Sequence, residues 1–153
     1  MATPEALGGR RDVTAKAATP GQHLRQEAQR RSHGRRCAYV VDDDPDTRHL
    51  IGDVATELGW ETKRFASLRE VRSALADESP DVLILDDDLP DGTGGEFAVE
   101  VRADDRLRRT PIIFCTGAAM HRVREIGRLA PVVMKPFDLR VLERLLGEVA
   151  GAA

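Results

Sequence analysis

Apolar residues along this chain gather in short runs that stop at a polar side chain. Cys37 to Val41 is followed by Asp42, Asp43 and Asp44, and Val82 to Leu85 by Asp86. Pro111 to Cys115 is followed by Thr116, and Pro131 to Met134 by Lys135. Short runs rich in Val, Ile and Leu are the pattern of strands buried on both faces of a parallel sheet. Between them the apolar spacing changes to that of helices with one buried face. Asp44 and Pro45 open such a helix through Leu50, Ile51, Val54, Ala55 and Leu58, which Gly59 can close in the left-handed conformation. Trp60 to Phe65, of mixed polarity, reads as an edge strand. Ser67 and Glu70 form a capping box for a helix carrying Leu68, Val71, Ala74 and Leu75. A glycine-rich loop, Asp91 to Gly95, leads to a helix through Phe97, Val99 and Val101. Asp138 caps a last helix with Leu139, Val141, Leu142, Leu145, Leu146 and Val149.

Strand and helix patterns that alternate in this way predict an α/β fold, a doubly wound five-stranded parallel sheet with helices on both faces. In such sheets sites form at the carboxyl ends of the strands. The acids, the Thr116 hydroxyl and the Lys135 amine all fall at that edge, which makes them a candidate pocket rather than scattered surface charge.

Charge divides the chain. Residues 1 to 36 carry eight Lys/Arg and three Asp/Glu, while the rest carries fifteen and twenty-three, together a formal net charge of −3. A boundary near Cys37 follows, between a basic arm (1–36) and a folded domain (37–150). The arm has only Leu7, Val13 and Leu24 as sizeable aliphatics and cannot bury enough surface to fold alone. Within it, Thr19, Pro20 and Gln22 favour a nascent helix from Pro20 to Arg31. No aromatics interleave its arginines, so a solvated tail is the default and no nucleic-acid partner is expected. No apolar stretch approaches the roughly 18 residues that span a bilayer, and the N-terminus lacks the apolar segment of a secretory signal. The expected setting is cytoplasmic, without membrane insertion. Cys37 and Cys115 fall in buried strands and read as inert core thiols in a reducing compartment.

Three chemical readings compete for the acids. Asp42, Asp44 and Asp46 match the start of a calcium loop, but Thr47 stands where that loop turns on glycine, Pro45 stiffens it, and Asp53 replaces the closing glutamate. Asp86, Asp87 and Asp88 after an apolar strand resemble the nucleophile motif of haloacid-dehalogenase-type phosphatases, yet Pro90 departs from that pattern. The third reading takes all four strand ends together.

The stretches from Val40 to Pro45, Leu85 to Gly94, Phe114 to Gly117 and Met134 to Phe137 are similar to the receiver domain of bacterial two-component response regulators. They stand in the right order, Asp42, Asp86, Thr116 and Lys135 following one another at intervals of 44, 30 and 19 residues. The resemblance implies a flavodoxin-like sheet of order 2-1-3-4-5. It implies Asp86 as phosphoryl acceptor, Thr116 as switch hydroxyl and Lys135 as phosphoryl contact, with a cis bond to Pro136. It implies Asp42, Asp43, Asp86 and the backbone carbonyl of Asp88 as ligands of Mg2+ or Mn2+. Carboxylates crowded at one edge repel each other, and a hard divalent cation with oxygen ligands relieves that cost.

Some positions depart from the family. Asp87 stands where an apolar residue is usual and is expected to face solvent or an arginine. Asp88 adds negative charge and is expected to tighten metal binding and alter the lifetime of an acyl phosphate. Val132 replaces the usual aromatic three residues before the lysine, Gly117 replaces alanine, and the interval from Thr116 to Lys135 predicts a short fourth helix within Ala118 to Leu129. These features partly resemble the FAT GUY subgroup of single-domain regulators, although Ala118 stands where that group has tyrosine. The expectation is a stand-alone receiver with no output domain, phosphorylated by a sensor histidine kinase or histidine phosphotransferase and read by a downstream protein. Its rivals are a constitutive interaction module, a piece of a hybrid kinase and the phosphatase above.

Overall fold

The computed structural model describes residues 34–152. The helix expected from Pro20 to Arg31 lies outside them. Five strands, β1 (Cys37–Val41), β2 (Glu61–Phe65), β3 (Val82–Leu85), β4 (Ile112–Thr116) and β5 (Val132–Met134), alternate with helices α1 (Pro45–Glu57), α2 (Leu68–Asp77), α3 (Gly94–Ala103), α4 (Met120–Ile126) and α5 (Leu139–Gly151). The strands form one sheet of order 2-1-3-4-5, parallel at every pairing. A separate antiparallel pair, Asp88–Leu89 with Gly92–Thr93, turns the chain between β3 and α3. Its second strand, Gly92–Thr93, stands within the stretch expected as loop.

Alternation along β1 divides the core. Cys37, Tyr39 and Val41 pack with Leu68, Val71 and Leu75 of α2, Phe97 and Val101 of α3 and Ile126 of α4. Ala38 and Val40 face the other way, onto Ile51 and Val54 of α1 and Leu142 and Leu146 of α5. Leu142 and Leu146, one turn apart, are fully buried. Burial of each side chain stabilises the fold by roughly 1.5–3 kcal/mol. Truncating either to alanine leaves a cavity as well and costs about 2–5 kcal/mol.

The helix ends follow their residues. The Asp44 carboxylate accepts the N–H of Thr47 at 3.1 Å, with Pro45 at the first helical position. Gly59 takes φ +89°, its N–H bonds to Thr56 and that of Trp60 to Ala55, a Schellman close. Three local expectations shift. Trp60 is buried at the helix-to-strand joint and β2 begins at Glu61. Glu70 reaches back to the N–H of Ala66 rather than that of the cap residue Ser67. Val99 is exposed, because the α3 face toward the sheet is set by Phe97, Ala98 and Val101. Edge strand β2 is half-buried along its length and carries ion pairs from Lys63 to Glu78 and Arg64 to Asp53. Charges of this kind keep an edge from pairing with other chains. Among the described residues, no helix is long and apolar enough to cross a membrane.

Candidate functional site

Parallel pairing of β1, β3, β4 and β5 brings their carboxyl ends side by side. The register sets Val41 beside Leu85, Leu85 beside Phe114 and Thr116 beside Met134. Asp42, Asp86, Thr116 and Lys135 therefore meet, although 93 residues separate the first from the last.

Lys135 Nζ lies 2.7 Å from Asp42 Oδ2 and 2.9 Å from Asp86 Oδ2. Both carboxylates are buried, Asp42 to 1 % and Asp86 to 5 % exposure, so the ammonium neutralises charges that are poorly hydrated. Burial pushes the Asp42 carboxyl upward, against the hydrogen bonds it accepts from Lys135 and from the N–H of Asp44. Burial also disfavours the Lys135 ammonium, but its bonds to Asp42 and Asp86 outweigh that and raise its pKa. Asp43 is exposed, and one carboxylate oxygen each from Asp42, Asp43 and Asp86 lie within 4.8 Å of one another. Three hard oxygen donors at that spacing fit a small divalent cation. Arg48 Nη1 donates to the carbonyl oxygen of Asp42 at 2.7 Å and fixes the turn that presents these acids.

Thr116 is fully buried, and its Oγ1 accepts the N–H of Ala118 at 3.2 Å. A hydroxyl that accepts one bond still has its own proton to donate. The peptide bond from Lys135 to Pro136 is cis, in line with the expectation. The Asp88 side chain is exposed, and its N–H donates to Asp86 Oδ1 at 3.3 Å. These groups line an open cavity of about 500 Å3, together with His121 and Arg122 at the start of α4.

Asp87 turns to an arginine rather than to solvent. Its carboxylate accepts Arg122 Nε at 2.6 Å and Nη2 at 3.0 Å. Hydrogen bonds to Asp87 and Glu125 raise the Arg122 pKa further above its ordinary value. Asp87 also accepts the N–H of Gly95 at 2.9 Å. The glycines there answer a spatial demand, since a β-carbon at Gly94 would overlap the Asp86 carbonyl oxygen. Reasoning from sequence did not find Arg122, and an acid at a usually apolar position was the signal that a cation faces it. Asp91 was missed as well: it accepts the N–H groups of Leu68 and Arg69, so the turn after β3 caps α2.

Residues 38–146 match the sequence model of the response regulator receiver domain. The chain belongs to that family. Receiver domains are phosphoacceptor signalling modules rather than classical enzymes; they bind Mg2+ in an acidic pocket and are phosphorylated by histidine kinases or phosphotransfer proteins. This receiver is 32% identical over 110 residues to the transcriptional regulatory protein GltR of Pseudomonas aeruginosa, covering 70% of this chain and 46% of GltR. The chain thus spans about half the length of that relative. It is 29% identical over 104 residues to the polar-differentiation response regulator DivK of Brucella anthropi, covering 65% of this chain and 84% of DivK. Among solved structures, the chemotaxis response regulator CheY4 of Vibrio cholerae aligns with a TM-score of 0.67 at 26% identity, covering 74% of this chain and 98% of CheY4.

Proposed function

We propose that this receiver accepts a phosphoryl group on Asp86 from a sensor histidine kinase or histidine phosphotransferase in the cytoplasm, and that a downstream protein reads the phosphorylated face. The observation that carries this reading is Lys135 Nζ held between Asp42 and Asp86 at 2.7 and 2.9 Å, beside the three-carboxylate cluster.

An Asp86 oxygen attacks the phosphorus of the donor phosphohistidine; the P–O bond forms as the P–N bond breaks, and the imidazole leaves as the neutral base with a proton from solvent. Asp42, Asp43, Asp86 and the Asp88 carbonyl would hold a magnesium or manganese ion, which when bound would supply positive charge to offset the crowded oxygens. Lys135 donates to a phosphoryl oxygen, and Thr116 turns its free proton to another. Hydrolysis of the acyl phosphate returns the Asp86 carboxylate and releases inorganic phosphate and a proton.

Intact mass after incubation with acetyl phosphate and magnesium tests the reading. A phosphoryl mass gain in the parent, absent in Asp86→Asn, supports it; no gain in the parent removes it and favours a constitutive interaction module.

A further inference from the structure

The Asp87 carboxylate is 4 % exposed and is held from two sides, by the Gly95 N–H at the start of α3 and by the fork of Arg122. Arg122 thereby straps α4 to the turn that carries Asp86. Its Nη1 donates at 2.7 Å to Glu125, a side chain 61 % exposed, so that partner is weakly held. A guanidinium has five N–H groups, and these bonds use three. The two that remain belong to a group lining the same cavity as Asp86, Thr116 and Lys135. Helix α4 itself is lightly anchored: seven residues long, without a side-chain cap at Ala119, and with Ile126 as its buried residue. An element with so few contacts is drawn from the low-stability end of a fold and moves for small changes in free energy. Val132, in the position three before Lys135, offers no polar atom to follow Thr116.

We propose that Arg122 is the phosphoryl sensor of this receiver: when Asp86 is phosphorylated, the free N–H groups of Arg122 take phosphoryl oxygens, Glu125 is released, and α4 shifts with the guanidinium. The inference rests on Asp86 being the acceptor. Phosphorylation replaces the single carboxylate charge of Asp86 with a phosphoryl group of about −1.5 to −2 near neutral pH, so the site gains negative charge and three acceptor oxygens. Lys135 is already divided between Asp42 and Asp86, which leaves part of that new charge unmatched. A planar fork can engage Asp87 along one edge and phosphoryl oxygens along another, whereas an ammonium cannot present two edges. Asp87, buried and bonded twice to the same guanidinium, acts as the pivot.

The test is nuclear magnetic resonance of the full chain before and after phosphorylation with acetyl phosphate and magnesium, with intact mass measured beside it. In the parent, the Arg122 Nε–Hε signal and the amides of residues 120–126 shift together on phosphorylation. In Arg122→Gln the amide shifts are lost while the mass gain persists. That variant leaves Asp87 buried without its cation and can fail to fold. The double variant Asp87→Asn with Arg122→Gln keeps a neutral amide pair, and the same loss is expected there. A full α4 response in either folded variant, or an Arg122 signal that does not move in a phosphorylated parent, overturns the sensor and leaves the acceptor assignment standing. A parent that gains no mass overturns the acceptor assignment, and the sensor with it.

Discussion

Asp91, in the turn after β3, accepts the backbone N–H of Leu68 at 2.9 Å from 23 residues further along the chain. Its other oxygen takes the N–H of Arg69 at 2.8 Å, so one carboxylate satisfies the first two free donors of α2 and ties that helix to the turn.

Those bonds hold the Asp91 carboxyl below its ordinary range. A depressed folded-state pKa means the unfolded chain takes up the proton first as pH falls. The stabilisation is therefore complete above about pH 4 and is lost as pH drops through the lowered pKa. Asp91→Asn is expected to melt at a lower temperature than the parent at pH 7, with the gap closing in acid. Melting curves across pH check this, and a gap that stays constant with pH contradicts it.

Cation binding is expected to show as stability. At ten times its dissociation constant a ligand specific to the folded state contributes about 1.4 kcal/mol. Magnesium or manganese should raise the melting temperature of the parent over that in chelator. Asp43→Asn should largely remove the rise, since Asp43 is the exposed member of the cluster and its loss disturbs no core contact. An equal rise in both proteins would place the ion elsewhere.

The strands of the sheet interior were legible because a strand covered on both faces has no polar face to show, and β1, β3 and β4 are buried at every residue. Strand β2 carries no such run, and its place was inferred from what surrounds it. The four polar residues at the strand ends were legible for a related reason: an apolar run fixes where the next side chain emerges. What did not show were pairings across the chain between polar groups. Asp87 and Arg122 are 35 residues apart, and their meeting depends on how α4 is set against the turn after β3. The exposure of Val99 was hidden too, because three apolar residues in α3 fit more than one helical face until the sheet selects one.

Neither cysteine should react with a thiol reagent while the protein is folded. Both are buried thiols outside any disulfide, and burial pushes the Cys115 thiol up to about 12. The thiolate is the reactive form, so labelling at pH 8 should follow unfolding and accelerate with urea. A raised folded-state pKa also means that the unfolded chain loses its proton first as pH rises. Cys115 therefore costs stability progressively from about 9 up to about 12. Cys115→Ala should flatten that alkaline loss, and an unchanged slope would show that other groups cause it.

Two glycines at the site should answer oppositely to a methyl group. At Gly94 the added carbon overlaps the backbone carbonyl of Asp86, which cannot swing aside as a side chain can. Gly94→Ala must therefore move either α3 or the turn, at a cost of about 3 kcal/mol. At Gly117 the nearest atom would be the Lys135 β-carbon at 3.6 Å, an ordinary contact, and its φ is not in the left-handed region. Alanine there restricts the unfolded chain without straining the folded one, which stabilises by about 0.5 kcal/mol. Urea midpoints at unchanged slope measure both effects. If Gly94→Ala does not lower the midpoint, the close approach of α3 to the Asp86 carbonyl is not the constraint it is taken to be, and if Gly117→Ala lowers it, the space at Gly117 is not open.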